Sequence, residues 1–213
     1  MSGETDWAGQ TLGVILAGGL ARRMGGGDKP LRPLGQGTML DQVVARLRPQ
    51  VAELVLNANG DPQRFASSKL PVVADRMADH PGPLAGVAAA LHWAAENRPA
   101  LRWVATVPGD TPFLPMDFVA RLHAARLRAG TVLACAATAG RTHPPAALWP
   151  VALRDDLEFA LRAGERKIDR WTARHGCASA SWDDGGADPF FNANTPEELH
   201  EAEQRLLANT ERR

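Results

Sequence analysis

Short apolar runs alternate with longer stretches whose apolar residues recur every three or four positions. Residues 12–16, 54–56, 72–74, 103–107 and 132–136 read as strands, while 39–47, 84–95 and 118–127 carry helical spacing. Pro115 suits a helix start and Gly130 the stop after the third helix. Such alternation predicts an α/β fold with a mostly parallel sheet and helices on both faces. Beyond about residue 140 the pattern loosens. Residues 146–149 read as a further strand, and 151–161 and 165–174 as two helices separated by Ala163-Gly164. Thr195-Pro196-Glu197-Glu198 opens a last helix that runs towards Leu207, with Thr195 at the N-cap, Pro196 at N1 and Glu198 at N3. The expected organisation is a flexible tail over 1–11, one domain over 12–208 and a fraying end over 209–213.

The 213 residues are enough to bury a large core without disulfides. Lys plus Arg and Asp plus Glu number 24 each, and a net charge of zero argues against a protein that coats nucleic acid. The two cysteines, Cys135 and Cys177, have no C-x-x-C spacing, which points to a reducing compartment and no zinc site. The first residues lack the apolar core of a signal peptide, and no apolar run approaches a membrane span. A cytoplasmic protein without membrane partners is expected.

Chemistry concentrates at the ends of the predicted strands. Between Leu16 and Lys29, five glycines and three fixed cations (Arg22, Arg23, Lys29) fall within twelve residues. Glycines let backbone N–H groups approach phosphate oxygens, and the cations can neutralise a polyphosphate. Pro30 after Lys29 breaks the G-x-x-x-x-G-K-[ST] pattern, and the dinucleotide-binding G-x-G-x-x-G pattern is absent. A nucleoside triphosphate site at the carboxyl end of the first strand is predicted, with Gly18, Gly19, Arg22 and Lys29 holding phosphates. An ordinary strand-to-helix connection would also use glycines. Asp110, in Val107-Pro108-Gly109-Asp110-Thr111-Pro112, is a hard oxygen ligand suited to Mg²⁺, or a turn cap. Asn57, Asn59 and Asp75 follow two other strands and can bond a ribose or base edge, although all are common turn residues. Arg141 and His143, the Glu165-Arg166-Lys167 group and the tryptophans Trp149, Trp171 and Trp182 could hold a second, anionic and aromatic substrate. The tryptophans suit a core equally well, and Asn192-Ala193-Asn194 is first of all the approach to a helix cap.

Taken in order, these clusters resemble the molybdenum cofactor guanylyltransferases. The likeness spans residues 12–199. It rests on the 16–29 loop, Asn57-Ala58-Asn59, Asp75, Pro81-Gly82-Pro83-Leu84-Ala85-Gly86, Asp110-Thr111-Pro112, Arg141-x-His143-Pro144 and Asn192-x-Asn194-Thr195-Pro196-Glu197-Glu198-Leu199. Gly27 and Gly109 stand at positions that vary in the family. The resemblance implies a Rossmann-like nucleotidyltransferase fold. It implies transfer of GMP from GTP to molybdopterin carrying molybdenum, with release of pyrophosphate. By the same resemblance Leu16, Ala17, Gly18, Lys29, Asn57, Asp75 and Asp110 bind GTP, and Asp110 binds Mg²⁺. Asp110, Lys29 and Arg22 are the expected catalytic groups. Arg141, His143, Arg166, Lys167, Asn192 and Asn194 are candidates for the pterin substrate by motif position and chemistry. Delivery to molybdoenzymes or cofactor-insertion partners could accompany the reaction. The alternatives are a molybdopterin cytidylyltransferase, another nucleotidyltransferase of the same fold, and a non-catalytic GTP-binding cofactor carrier. A pure carrier would have no need of Asp110 as a metal ligand.

Overall fold

The computed structural model describes residues 6–18, 27–77, 82–182 and 188–211, the last three of these by backbone alone. Gly19 and Arg22, both expected at the phosphates, lie outside the described residues, as does Pro81. Thr11–Leu16 (β1) is buried along nearly its whole length, as a strand covered on both faces must be. It pairs in parallel with Glu53–Asn57 (β4) on one side and Trp103–Pro108 (β6) on the other. Val72–Val73 (β5) extends the sheet beyond β4. Past β6, Arg141–Pro150 (β8) is antiparallel to both β6 and Leu133–Thr138 (β7), and Cys177–Trp182 (β9) lies parallel to β7. The order is β5-β4-β1-β6-β8-β7-β9, with Pro33–Leu34 (β2) and Gly37–Thr38 (β3) forming a separate two-stranded ribbon.

The helices divide between the faces. Met39–Leu47 (α1) and Phe118–Ala129 (α3) bury Leu40, Val43, Phe118 and Leu122 on one face. Pro83–Asn97 (α2), Arg154–Arg162 (α4) and Ile168–His175 (α5) bury Leu84, Leu91, Leu157 and Trp171 on the other. The expected α/β architecture with a mostly parallel sheet is therefore the one the chain adopts. α1 starts at a reciprocal cap: Asp41 N–H donates to Thr38 Oγ1 at 3.2 Å, and Thr38 N–H donates to Asp41 Oδ2 at 2.8 Å. Pro196–Glu211 (α6) closes the chain against β2 through Leu34, Phe113, Ala193 and Ala202. The helix thus continues to residue 211, past the point where the sequence suggested fraying. No helix among the described residues is long and apolar enough to cross a membrane.

The second half departs most from the expected elements. β8 is ten residues long instead of four and contains Pro144-Pro145. Its register against β7 jumps from Cys135↔Ala147 to Ala136↔His143, so residues 144–146 form a bulge. The prolines, which cannot donate to a ladder, sit where none is required. β9 was not anticipated, because Cys-Ala-Ser-Ala-Ser-Trp carries few large apolar groups and buries only alternate positions.

The beginning of the chain also corrects the sequence reading. Residues 7–11 are not a flexible tail, since Trp7 and Thr11 pack onto α3. Trp7 stacks on His123 with ring centroids 4.7 Å apart, and Arg126 places its guanidinium over Trp7 and Trp103. Arg126 Nε–H donates to His123 Nδ1 at 3.1 Å. The ring proton therefore sits on Nε2, 3.1 Å from Thr11 Oγ1, and the Thr11 hydroxyl donates to Trp7 O at 2.6 Å. The relay needs a neutral imidazole. Burial, and then the Arg126 charge, push the His123 pKa down to about 3.

A base with a depressed folded pKa binds its proton first in the unfolded chain. Its contribution to stability is complete above about pH 6.5 and is lost as pH falls towards 3. By pH 4.5 about 2–3 kcal/mol of this contribution is lost. Urea unfolding at pH 7 and pH 4.5 should show wild type losing more stability than His123→Gln. Equal losses in the two proteins would rule out His123 as the acid-sensitive group.

Candidate active site

The parallel pairing of β4, β1 and β6 brings their carboxyl ends to one edge of the sheet. The ladder continues just past them, with Ala17 N–H donating to Asn57 O at 2.8 Å and Gly109 N–H to Leu16 O at 2.9 Å. Above these ends lies a cavity of about 420 Å³. Leu16, Gly18 and Lys29 line it from the first segment, Asn57, Asn59 and Asp75 from β4 and β5, and Pro108, Gly109 and Asp110 from β6. Gly82 and Pro83, which open α2, complete that wall, and Pro145 and Asn192 close the far side. Ala17, between Leu16 and Gly18, is buried and does not line the cavity.

One end is a network of amides around a carboxylate. Asp75 Oδ1 accepts from Asn57 Nδ2 at 2.9 Å, and Oδ2 accepts from Asn59 Nδ2 at 2.8 Å. Asn59 Oδ1 in turn accepts the Asp75 N–H at 2.8 Å, and Asn57 Nδ2 also reaches Val73 O at 3.0 Å. Each carboxylate oxygen keeps a lone pair for a ligand's N–H or O–H. Asn57 is pressed against α2 at Gly86, where a Cβ would stand 2.2 Å from Asn57 Oδ1. Only glycine lets the helix approach this closely.

The other end is cationic. The Lys29 ammonium donates to Asp110 Oδ2 and to Asn194 Oδ1, and the residue is only 8 % exposed. A Cβ at Gly109 would stand 2.8 Å from Pro30 Cγ, so the glycine lets the Lys29 turn pack closely on the loop after β6. Asn194 is held from behind. Its Nδ2 donates to Asn192 O at 2.9 Å, and its backbone N–H donates to Glu198 Oε2 at 2.6 Å. Glu198 N–H returns to Thr195 Oγ1 at 3.2 Å, which is the cap read from the sequence. Asn192 Oδ1 accepts from Thr111 Oγ1 at 2.9 Å, beside Asp110. The C-terminal motif therefore clasps the loop after β6. Nothing in the chain's patterning announces Arg64, which pairs with Asp28 at 2.6 Å and tethers the far end of the 16–29 loop.

The remaining candidates are distributed unevenly. Antiparallel pairing brings the start of β8, with Arg141 and His143, to the same sheet edge. Arg141 is exposed. His143 Nε2–H donates to Thr138 Oγ1 at 2.6 Å, and the Thr138 hydroxyl donates to Asp188 Oδ1 at 3.2 Å. The imidazole stacks on Phe190, and burial is the main cause that lowers its pKa. Arg166 donates to the carbonyls of Leu161 and Glu165 at 2.9 and 2.7 Å, stitching the end of α4 to the approach to α5. Lys167 is exposed at the start of α5, and neither basic residue lines the cavity. The tryptophans are core rather than platform: Trp149 and Trp171 are fully buried and Trp182 nearly so. Each indole N–H has an internal acceptor, on Thr106, Asp156 and Asp117 respectively.

A second cavity of about 290 Å³ lies between α5 and β7–β9 and contains both cysteines. Burial pushes the thiol pKa values up to about 12 for Cys135 and about 11 for Cys177, so neither is a nucleophile at neutral pH.

Residues 13–179 match the MobA-like NTP transferase domain. The chain is 55 % identical to the molybdenum cofactor guanylyltransferase of Nitrobacter hamburgensis, over 93 % of this chain and 95 % of that one. It is 59 % identical to the molybdenum cofactor guanylyltransferase of Rhodopseudomonas palustris strain HaA2, over 89 % of each. Its fold resembles the crystal structure of molybdopterin-guanine dinucleotide biosynthesis protein A from Archaeoglobus fulgidus. That likeness has a TM-score of 0.72 at 23 % identity and covers 93 % of this chain and 99 % of the other.

Proposed function

The chain belongs to the molybdenum cofactor guanylyltransferase family, and from that premise we propose that it transfers GMP from GTP to molybdenum-bearing molybdopterin, working as one nucleotidyltransferase domain over residues 12–208. The observation that carries this role is the cavity that sets the Asp75 network and the Lys29–Asp110 pair at opposite ends of one sheet edge. The terminal phosphate of molybdopterin attacks the α-phosphorus of GTP in line. The new P–O bond forms as the bond to the β-phosphate oxygen breaks, and pyrophosphate leaves on the opposite side. The nucleophile is already ionised, so the protein's task is positioning and charge neutralisation.

Asp75, steadied by Asn57 and Asn59, accepts hydrogen bonds from the nucleoside, and a guanine offers two adjacent N–H donors to such a carboxylate. Lys29 binds the triphosphate, with the backbone at Leu16, Ala17 and Gly18 forming the floor of the site and Gly19 and Arg22 assisting. The oxygens around Lys29 fit a hard cation, since a carboxylate and an amide carbonyl already converge on one positive charge there. Mg²⁺ held by Asp110 would neutralise phosphate charge. On the acceptor side we assign Arg141 to the anionic end of the pterin substrate, with His143 bracing that strand. Lys167 offers a second exposed cation. Arg166, Asn192 and Asn194 act through the contacts they make within the protein. The cytoplasm, where GTP is supplied and thiols stay reduced, is the compartment we assign, with molybdoenzymes or insertion factors as recipients of the product.

The deciding experiment is pyrophosphate release with Mg²⁺, molybdenum-bearing molybdopterin and either GTP or CTP. Release with GTP alone is expected. Release with CTP alone would overturn the base assignment. GTP binding without any release would favour a carrier.

A further inference from the structure

Lys29 has a second property that phosphate binding does not require. Its ammonium is seated on Asp110 and Asn194: one acceptor stands on the backbone-set turn after β6, and the other is fixed by further contacts of its own residue. Asn194 is oriented by Asn192 O and by the Glu198 carboxylate. The base of the lysine stem is set by the turn Lys29–Leu31, with Pro30 against Gly109. The ammonium therefore occupies a prepared seat on the carboxylate that a divalent cation would use. Two cations on one part-buried carboxylate repel strongly, because the low local dielectric magnifies their interaction.

We propose that Lys29 is the resident cation of Asp110, which a divalent metal must displace, an inference that rests on placing the metal at Asp110. The triphosphate supplies the alternative acceptor that draws the ammonium away. Metal alone then binds weakly, and nucleotide and metal strengthen each other's binding by the same factor. Asn194 is a positioning residue in this scheme, since it keeps the ammonium in its seat.

The test is Mn²⁺ affinity of the full chain without nucleotide, read from the electron paramagnetic resonance signal of free Mn²⁺. Lys29→Met should bind Mn²⁺ roughly tenfold or more tightly than wild type, because Asp110 loses its internal counter-ion. Lys29→Arg keeps the charge and should stay as weak as wild type. Asn194→Ala should tighten binding by a smaller factor, since it removes one of two acceptors. Thermal melts establish that each variant is folded. Equal or weaker Mn²⁺ binding by folded Lys29→Met would overturn the displacement. The double variant Lys29→Met, Asp110→Asn tests the underlying site separately. If it still binds Mn²⁺ like Lys29→Met, the metal does not sit on Asp110 at all.

Discussion

Asp110→Asn is expected to lower the rate of GMP transfer by roughly 10²–10³ while the fold survives, the usual effect of removing one preorganised electrostatic group. The substitution conserves shape. Asp110 sits in the turn after β6, where the backbone is set by the Gly109 bond to Leu16 O and by Thr111 N–H donating to Pro108 O. None of those contacts involves the carboxylate. What disappears is the negative charge that faces Lys29 and the expected metal. Turnover and a thermal melt measured together separate the two outcomes. A folded variant with near-wild-type, Mg²⁺-dependent turnover would remove Asp110 from the metal site.

Lys29→Ala should both raise the apparent KM for GTP and lower kcat, reducing kcat/KM by roughly 10–10³. In the proposed role the ammonium would bind triphosphate in the ground state and meet additional charge as pyrophosphate departs, so both parameters should move. If steady-state kinetics leave both unchanged, Lys29 does not contact the triphosphate. Loss of this residue should tighten metal binding and slow the reaction at once, and a cation that served only to fix the metal could not produce that pair of effects.

Both residues were legible in the sequence because they lie in short motifs directly after strongly apolar strands. Up to about residue 140 the periodicities are clean, and β1, β4, β6, α1, α2 and α3 fall close to their expected places. After that point two local signals mislead. Pro144-Pro145 argues against a strand interior, yet a bulge places the pair where no ladder donor is needed. β9 is built from small residues at an edge, so its apolar signal is faint. Long-range contacts were hidden for a different reason. The Thr11–His123 bond spans 112 positions, and nothing around Trp7 announces its partner. The same holds for Arg64 with Asp28, 36 positions apart. Asn194 was visible as part of a motif, but its hold on Lys29 was not.

That hold joins residues 165 positions apart, and the Asn194 end depends on the cap of α6. During synthesis the strands β1, β4 and β6 emerge early and can pair, since chains begin folding from the N-terminal side. The seat of Lys29, by contrast, is complete only once α6 has been made and docked, because its second acceptor is Asn194. A ribosome-bound chain that lacks this helix would carry Lys29 and the Asp110 carboxylate with the lysine held at one acceptor instead of two. The two-acceptor seat of Lys29 is thus assembled late, well after the strands that carry its first acceptor have been made.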